Sequence, residues 1–248
     1  AAAAELVQQA LAETEGGVLV FLPGEGEIRR TAARLDGRLP PGVHLRPLYG
    51  AMAFRDQRAA IAPAAGGRKL VLATAVAETS LTIEDIRVVV DCGRARRARF
   101  DPGSGMTRLV TERVTRAEAE QRRGRAGRVA PGTCYRMWTR GEEGALALHP
   151  PAEIEAADLA GLALELAVWG AREAADLPFL TPPNPGAWAE ARRLLSGLGA
   201  LDRAGAVTAH GRAMAALPLH PRLAHMLLTG GPDAPLLAAL VSNRDPLS

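Results

Sequence analysis

The sequence predicts an α/β fold, a parallel sheet covered by helices, followed by a mostly helical C-terminal part. Two observations carry the first half. Short apolar runs alternate with amphipathic stretches of roughly ten residues, the spacing of parallel strands joined by crossover helices. The run at 18–22 is apolar throughout rather than at every second position, as a strand buried on both faces must be. The second half rests on a third observation. Past Gly144 and the His149-Pro150-Pro151 break, strand signals give way to helical ones.

In chain order, residues 5–15 read as a helix closed by Gly16-Gly17, and 18–22 as the first strand. Pro23-Gly24 turns that strand into a helix over 25–35. A strand at 43–48 and a helix at 51–61 follow, then strands at 69–73 and 87–91 around a polar loop. Residues 94–110 depart from the alternation. Asp101-Pro102-Gly103-Ser104-Gly105 is a strong turn signal between two extended arms, so a projecting β-hairpin is expected, carrying Arg94, Arg96, Arg97, Arg99 and Arg108. Thr115 and Glu118 form T-x-x-E, a capping box that starts a helix near Arg116. Gly124 and Gly127 fray its end, and 133–138 supplies another strand. Helices at 154–169 and 187–198, a short ribbon at 201–207 and a helix at 208–217 resemble a winged helix. Residues 218–248 are helical again. The expected domains are an α/β lobe at 1–145, a winged-helix domain at 146–217 and the start of a helical bundle, cut short, at 218–248.

There is one lysine, Lys69, against 29 arginines, which with the abundant alanine reflects genomic base composition rather than function. The net charge of +3 hides an uneven distribution. Residues 87–128 hold twelve arginines and five acids, a local +7 that leaves −4 for the rest of the chain. A positive field so concentrated suits a polyanion partner, with a solvated surface as the alternative. Cys92 and Cys134 lie far apart without metal spacing and are too few for a disulfide framework, so a reduced, cytoplasmic setting is expected. No apolar run reaches about 18 residues, so no membrane span is expected. Residues 1–11 lack the basic flank of a signal peptide and read as the interior of a longer chain.

The densest chemistry lies at 121–128, Q-R-R-G-R-A-G-R. Arg125 and Arg128 fall three residues apart, close to one face of the helix tail. A guanidinium is always charged, and its planar fork matches phosphate oxygens. The octet therefore suits a triphosphate, where charge builds during phosphoryl transfer. A solvated basic helix end is the competing reading. A second cluster, Thr74, Glu78, Thr79, Ser80, Thr82 and Glu84, surrounds a loop between two buried strands. Loops at the C-terminal ends of parallel strands are where such sheets bind ligands. Hydroxyls there either donate to phosphate oxygens or simply cap turns.

Three segments in order resemble motifs IV, V and VI of the superfamily 2 helicases of the DEAH-box kind. They are V-L-V-F-L-P-G at 18–24, L-V-L-A-T-A-V-A-E-T-S-L-T-I-E-D-I-R-V-V-V at 70–90, and the octet at 121–128. The resemblance continues through P-G-T-C-Y at 131–135. F-D-P-G-S-G-M-T-R-L at 100–109 and L-P-L-H-P-R-L-A-H-M-L at 217–227 look most like the bacterial HrpB-type members. The resemblance implies that the sheet is RecA-like, the second of two such lobes, with ATP hydrolysis between the lobes stepping the enzyme along RNA. It implies that Gln121 positions the attacking water or the terminal phosphate, and that Arg125 and Arg128 are arginine fingers. Arg122 matches the motif's second position, and Arg123, at a variable position, receives no role. Ser80 and Thr82 would couple the strand contact to the nucleotide. Glu84 would lie near the ribose, where the family more often has Asp. Pro23, Gly24, Gly50 and Thr74 would line the nucleic-acid groove, Gly50 standing where many members have Ser. The hairpin's Arg96, Arg97 and Arg99 are expected to touch the strand. The implied cofactor is ATP with Mg²⁺, held mainly by the first lobe. The implied partners are that lobe and RNA, single-stranded or a duplex with an overhang, with DNA as a further candidate.

The chain has no G-x-x-x-x-G-K-[ST] phosphate loop and no Asp-Glu-x-His; Lys69 follows Gly66-Gly67-Arg68 outside that pattern. In the family both belong to the preceding lobe, so this chain alone is expected to lack ATPase activity. Two other readings stay open. One is a nucleotide- or dinucleotide-binding α/β domain, on Gly24-Glu25-Gly26, although Arg29 stands at the third glycine position. The other is a non-enzymatic nucleic-acid-binding module built on the winged helix and the basic hairpin, binding indifferently to ATP.

Overall fold

The computed structural model describes residues 2–64, 66–78, 83–101, 106–128 and 130–242. They fall into two compact units, Ala1–Ala98 with Arg108–Pro150, and Arg99–Thr107 with Pro151–Ser248.

The first unit is built on α1 (Ala2–Glu13), β1 (Gly17–Phe21), α2 (Glu25–Leu35), β2 (Val43–Leu48), α3 (Phe54–Ile61), β3 (Arg68–Ala73) and β4 (Ile86–Asp91). After the hairpin strands β5 (Arg94–Asp101) and β6 (Met106–Arg113) come α4 (Arg116–Arg123), β7 (Thr133–Arg136) and α5 (Arg140–Gly144). Five strands form one parallel sheet in the order β2-β3-β1-β4-β7. In register, Val18 of β1 pairs with Leu70 on one side and Val88 on the other.

Alternation along β1 divides the core. Val18 and Val20 join Leu70, Leu72, Val88 and Val90 beneath Val7 and Leu11 of α1 and Ile28 and Leu35 of α2. Leu19 and Phe21 join Val71, Ala73 and Val89 on the opposite face, with Ala60 of α3 and Ala126. Each fully buried Leu, Ile or Phe contributes roughly 1.5–3 kcal/mol, and both faces are filled at the centre of the sheet, which is why β1 and the inner parts of β3 and β4 read as continuous apolar runs. The connection after β1 leads toward one edge of the sheet and that after β3 crosses to the other side. The C-terminal ends of β1, β3 and β4 thus surround a topological switch point, where open α/β sheets bind ligands.

The second unit holds α6 (Glu153–Ala156), α7 (Ala160–Trp169), α8 (Pro185–Gly197), α9 (Ala209–Ala215), α10 (Pro221–Thr229) and α11 (Ala234–Ser242). Leu164, Trp188, Leu195, Met214 and Ala224 form its core. Gly170 ends α7 at φ +95, the left-handed stop a glycine takes without strain. Asn184 caps α8, its side chain accepting from the N–H groups of Gly186 and Ala187. A single antiparallel bridge, Leu201 to Val207, forms the ribbon between α8 and α9.

The structure departs from the sequence expectation at several places. α1 begins at Ala2 rather than near Glu5. α3 begins at Phe54 rather than 51, because Met52 N–H turns back to the Tyr49 carbonyl and the Gln57 side chain ties down the Met52 carbonyl at 2.9 Å. β7 stops at Arg136, two residues short of Trp138. The helix expected over 154–169 is interrupted at Asp158, whose carboxylate accepts from Ala160 N–H at 2.8 Å and meets His220 Nε2 at 2.8 Å. α5 was not anticipated, although Thr139 and Glu142 repeat the capping box that opens α4. The expected hairpin turn at 102–105 lies outside the described residues.

Candidate functional site

The arginine octet enters on α4. Thr115 Oγ1 accepts from Glu118 N–H at 3.3 Å and Glu118 Oε2 accepts from Thr115 N–H at 2.7 Å, the reciprocal box that fixes where the helix starts. Burial raises the Glu118 carboxyl, but the Thr115 donors and Arg97 outweigh it and hold it below its usual value. The helix ends at Arg123, and residues 124–127 form a tight turn, with Arg125 N–H donating to the Arg122 carbonyl at 3.0 Å. The chain then returns to the sheet through Gly132. A Cβ there would stand 2.2 Å from the Ala126 carbonyl oxygen and 2.5 Å from that of Arg87, so only glycine fits.

Arg122, in the last turn of α4, lies in the interior, 1% exposed. Its Nη1 donates to Asp91 Oδ1 at 2.9 Å and to the Arg94 carbonyl at 3.2 Å, and its Nε donates to Glu78 Oε2 at 3.1 Å. The guanidinium carbon sits 4.9 Å from the centre of the Phe21 ring. Asp91, at the C-terminal end of β4, also accepts from Gly93 N–H at 2.9 Å, while its Oδ2 is buried without a hydrogen-bond partner. Burial depresses the Arg122 guanidinium, but Asp91 and Glu78 outweigh it and raise it above its usual value. Burial pushes the Glu78 carboxyl up, and Arg122 offsets only part of that.

Arg125 lies beside this cluster. Its Nε donates to the Glu78 main-chain carbonyl at 2.9 Å, and its Nη2 reaches the same oxygen. Burial, followed by the neighbouring charge of Arg128, lowers the Arg125 guanidinium below its usual value. Glu78, Gln121, Gly124, Arg125 and Arg128 line a cleft of about 390 Å³. Chemically the cleft offers two guanidinium forks and a carboxamide, with the Glu78 carboxylate drawn back onto Arg122. That donor set suits an anion rich in oxygen acceptors.

The residues expected to touch nucleic acid are placed as follows. Thr74 directly follows β3, its N–H bonded to the Leu48 carbonyl at 3.1 Å, and opens the turn that ends at Glu78. Gly24 caps α2, and a Cβ on it would stand 2.7 Å from the Arg96 guanidinium carbon, so Arg96 lies against the Pro23-Gly24 turn. Arg96 also makes a long contact of 3.5 Å with Glu27. Gly50 is exposed, and a Cβ on it would meet nothing within 4 Å. Arg97 is engaged within its own unit. Its Nη2 holds both oxygens of Glu118 at 2.5 Å, and its Nη1 donates to Glu112 and to the Arg113 carbonyl at 3.2 Å. Arg99 is half-buried, and Glu84 is exposed in the turn before β4. Ser80 and Thr82 lie outside the described residues.

The family profile described as the helicase conserved C-terminal domain matches residues 2–130. The chain belongs to that family. It is 46% identical over 233 residues to the ATP-dependent RNA helicase HrpB of Escherichia coli (strain K12), covering 94% of this chain and 29% of that protein. It is 37% identical over 237 residues to the pre-mRNA-splicing factor ATP-dependent RNA helicase prp22 of Schizosaccharomyces pombe, covering 92% of this chain and 20% of that protein. The crystal structure of the Escherichia coli DEAH/RHA helicase HrpB matches with a TM-score of 0.92 at 45% identity, over 98% of this chain and 32% of that one. The chain therefore spans under a third of the length of these relatives, and it is of the DEAH-box, HrpB type.

Within this helicase lobe, sequence reasoning missed the depth of Arg122, which it had left without a role. The available signal was two acids, Glu78 and Asp91, each at the end of an apolar run, where a buried carboxylate must find a cation.

Proposed function

We propose that this chain is the second RecA-like lobe of an ATP-dependent RNA helicase, followed by a winged-helix domain over 146–217 and the start of a helical bundle at 218–248. In this reading a first lobe carrying the phosphate loop binds ATP with Mg²⁺ and presents its terminal phosphate to the cleft of Gln121, Arg125 and Arg128. The observation that carries it is the cleft itself. Two guanidinium groups and a carboxamide converge at the switch point of a parallel sheet, with Glu78's charge committed to a buried partner. Gln121 orients the attacking water, while Arg125 and Arg128 meet charge that grows on the phosphoryl oxygens in the transition state. Among the described residues no group of three or more His, Cys, Asp or Glu is placed to hold a metal, and the proposal puts Mg²⁺ on the first lobe with the nucleotide.

RNA runs past Pro23, Gly24, Gly50 and Thr74, with Arg96 contributing charge from the hairpin, while Glu84 lies near the ribose of the bound ATP. Arg97 acts through Glu118 by fixing the start of α4. Contacts of this kind hold the phosphate backbone without reading bases, so DNA is a further candidate substrate. No described helix is long and apolar enough to cross a membrane, and Cys92 and Cys134 are free thiols, which fits a reducing cytoplasm.

The test is hydrolysis by the full-length protein. Arg125→Ala and Arg128→Ala should each lower kcat by about 10³-fold or more while KM for ATP stays within a few-fold. A kcat near that of the parent, with only RNA affinity reduced, would make these arginines strand contacts instead.

A further inference from the structure

Glu78 is held at both of its ends by different arginines. Its carboxylate accepts from Arg122, and its main-chain carbonyl accepts from Arg125. Its N–H is also committed, donating to the Ala75 carbonyl at 2.9 Å to close the turn that starts at Thr74. Arg122 is in turn immobilised by Asp91, the Arg94 carbonyl and the Phe21 ring. The peptide on which Arg125 rests is thus fixed from the sheet outward.

The choice of partner atoms has a consequence for charge. A long arginine side chain carries about 2 kcal/mol of rotamer entropy, so something must hold it if it is to meet a phosphate in one geometry. A carboxylate would hold it but neutralise it. A neutral carbonyl holds it without cancelling its charge. The Glu78 carboxylate belongs to the same residue as that carbonyl, and Arg122 claims it at 3.1 Å, deep in the core.

We propose that Glu78 and Arg122 form a positioning pair for Arg125: the buried ion pair fixes the Glu78 peptide, whose carbonyl orients Arg125, and diverts the Glu78 carboxylate that would otherwise quench it. This rests on the reading of Arg125 as a residue of the hydrolytic site. Loss of Arg122 does two things at once. It loosens the platform, and it frees a carboxylate to capture Arg125.

The test is ATP hydrolysis by the full-length protein, with kcat expressed per folded enzyme. Arg122→Met should lower kcat by about 10- to 100-fold, the range that a small misplacement of a catalytic group costs, with KM within a few-fold. Adding Glu78→Gln to Arg122→Met removes the freed charge and should recover kcat several-fold, an outcome that a purely structural role for Arg122 does not produce. Should Arg122→Met fail to fold, Glu78→Gln alone carries the test. It should lower kcat about 10-fold in the parent, but less than two-fold further once Arg125→Ala is present. Arg125→Ala is also the control for the underlying reading. If it leaves hydrolysis unchanged, that reading fails. If it slows hydrolysis while Arg122→Met and Glu78→Gln stay within two-fold of the parent, or if the two losses add independently, the positioning proposal is overturned.

Discussion

Arg122→Met probes the stability of the buried cluster directly. One guanidinium serves two carboxylates, Asp91 at 0% exposure and Glu78 at 7%. Methionine refills most of the volume and can still lie on the Phe21 ring, so the loss is electrostatic rather than a cavity. Removing one partner of a buried pair costs roughly 3–5 kcal/mol, because the remaining charge is left desolvated. Asp91 keeps its Gly93 N–H, which softens the loss, but its Oδ2 already lacks a partner. At a urea dependence of about 2–3 kcal/mol per molar, the unfolding midpoint should fall by about 1–2 M near neutral pH. The pH dependence has a definite sign. The folded-state Glu78 carboxyl sits above its ordinary value of 4.5, chiefly through burial, with Arg122 pulling it back down. Without Arg122 it rises further. A carboxyl raised in the folded state contributes stability that is complete below its unfolded value and is lost as pH rises through the folded one. The deficit of the variant should therefore be smallest near pH 4.5–5 and largest above neutrality. Urea unfolding of this chain, followed by circular dichroism at pH 5 and pH 8, measures both features. A midpoint at pH 8 within about 0.3 M of the parent, or a deficit that grows on acidification, would refute the account.

Two further outcomes follow from the geometry. Gly132→Ala drives a Cβ into two main-chain oxygens that cannot rotate away, and should cost about 1–3 kcal/mol in thermal unfolding. Gly50→Ser meets nothing within 4 Å and should stay within about 0.5 kcal/mol; equal effects of the two would discredit the packing around Gly132. On the hairpin, Arg96→Ala should flatten the dependence of RNA affinity on log salt by about one unit. Arg97→Ala should leave that slope unchanged and lower the melting temperature instead, since its guanidinium is spent on Glu112 and Glu118. A salt titration and a melt of each variant separate the two, and a slope change confined to Arg97→Ala would reverse the assignment.

The sheet was legible because burial on both faces leaves its mark residue by residue. α2 falls where the amphipathic stretch at 25–35 places it, and β2 where Val43, Leu45 and Pro47 alternate with His44 and Arg46. The misreadings arise where the deciding partner is elsewhere. Ala51-Met52-Ala53 has helical composition, and the Met52 N–H bond to the Tyr49 carbonyl with the reach of Gln57 back to the Met52 carbonyl makes it a turn. The break at Asp158 joins a local bond from Ala160 N–H to a contact with His220, 62 residues away. α5 shows the reverse failure: its signal, Thr139 and Glu142, was local and present, but the segment has no apolar periodicity to draw attention to it. The same logic governs the candidate site. Gln121, Arg125 and Arg128 stand together in one octet and could be read as a group. Arg122 could not, because Glu78 and Asp91 lie 44 and 31 residues from it. Arg97 reads locally as a strand-contacting hairpin charge, and its partner Glu118 lies 21 residues further along the chain.

Composition alone would have hidden the site. Arginine is the default cation of this chain, so a cluster of arginines carries less information here than it would in a lysine-rich protein. Burial restores the discrimination, because desolvating a charge costs the same whatever codon usage supplied it. Among the described residues the buried charged groups are Lys69, Glu78, Asp91, Arg122 and Arg125. Four of the five gather at the C-terminal ends of β3 and β4, around the cleft of Gln121 and Arg128. The fifth, the chain's only lysine, has a local structural duty: its Nζ reaches the Ile61 and Ala62 carbonyls at the end of α3, where a cation completes a helix C-terminus. A lysine suits that place because a compact ammonium can converge on two adjacent carbonyls, whereas a planar fork suits the two separated carboxylates around Arg122. With that duty accounted for, the remaining buried charge marks a single location in the fold. Desolvated charged groups concentrate where proteins do chemistry, so the position of the candidate site follows from the energetics of burial independently of the motif resemblance.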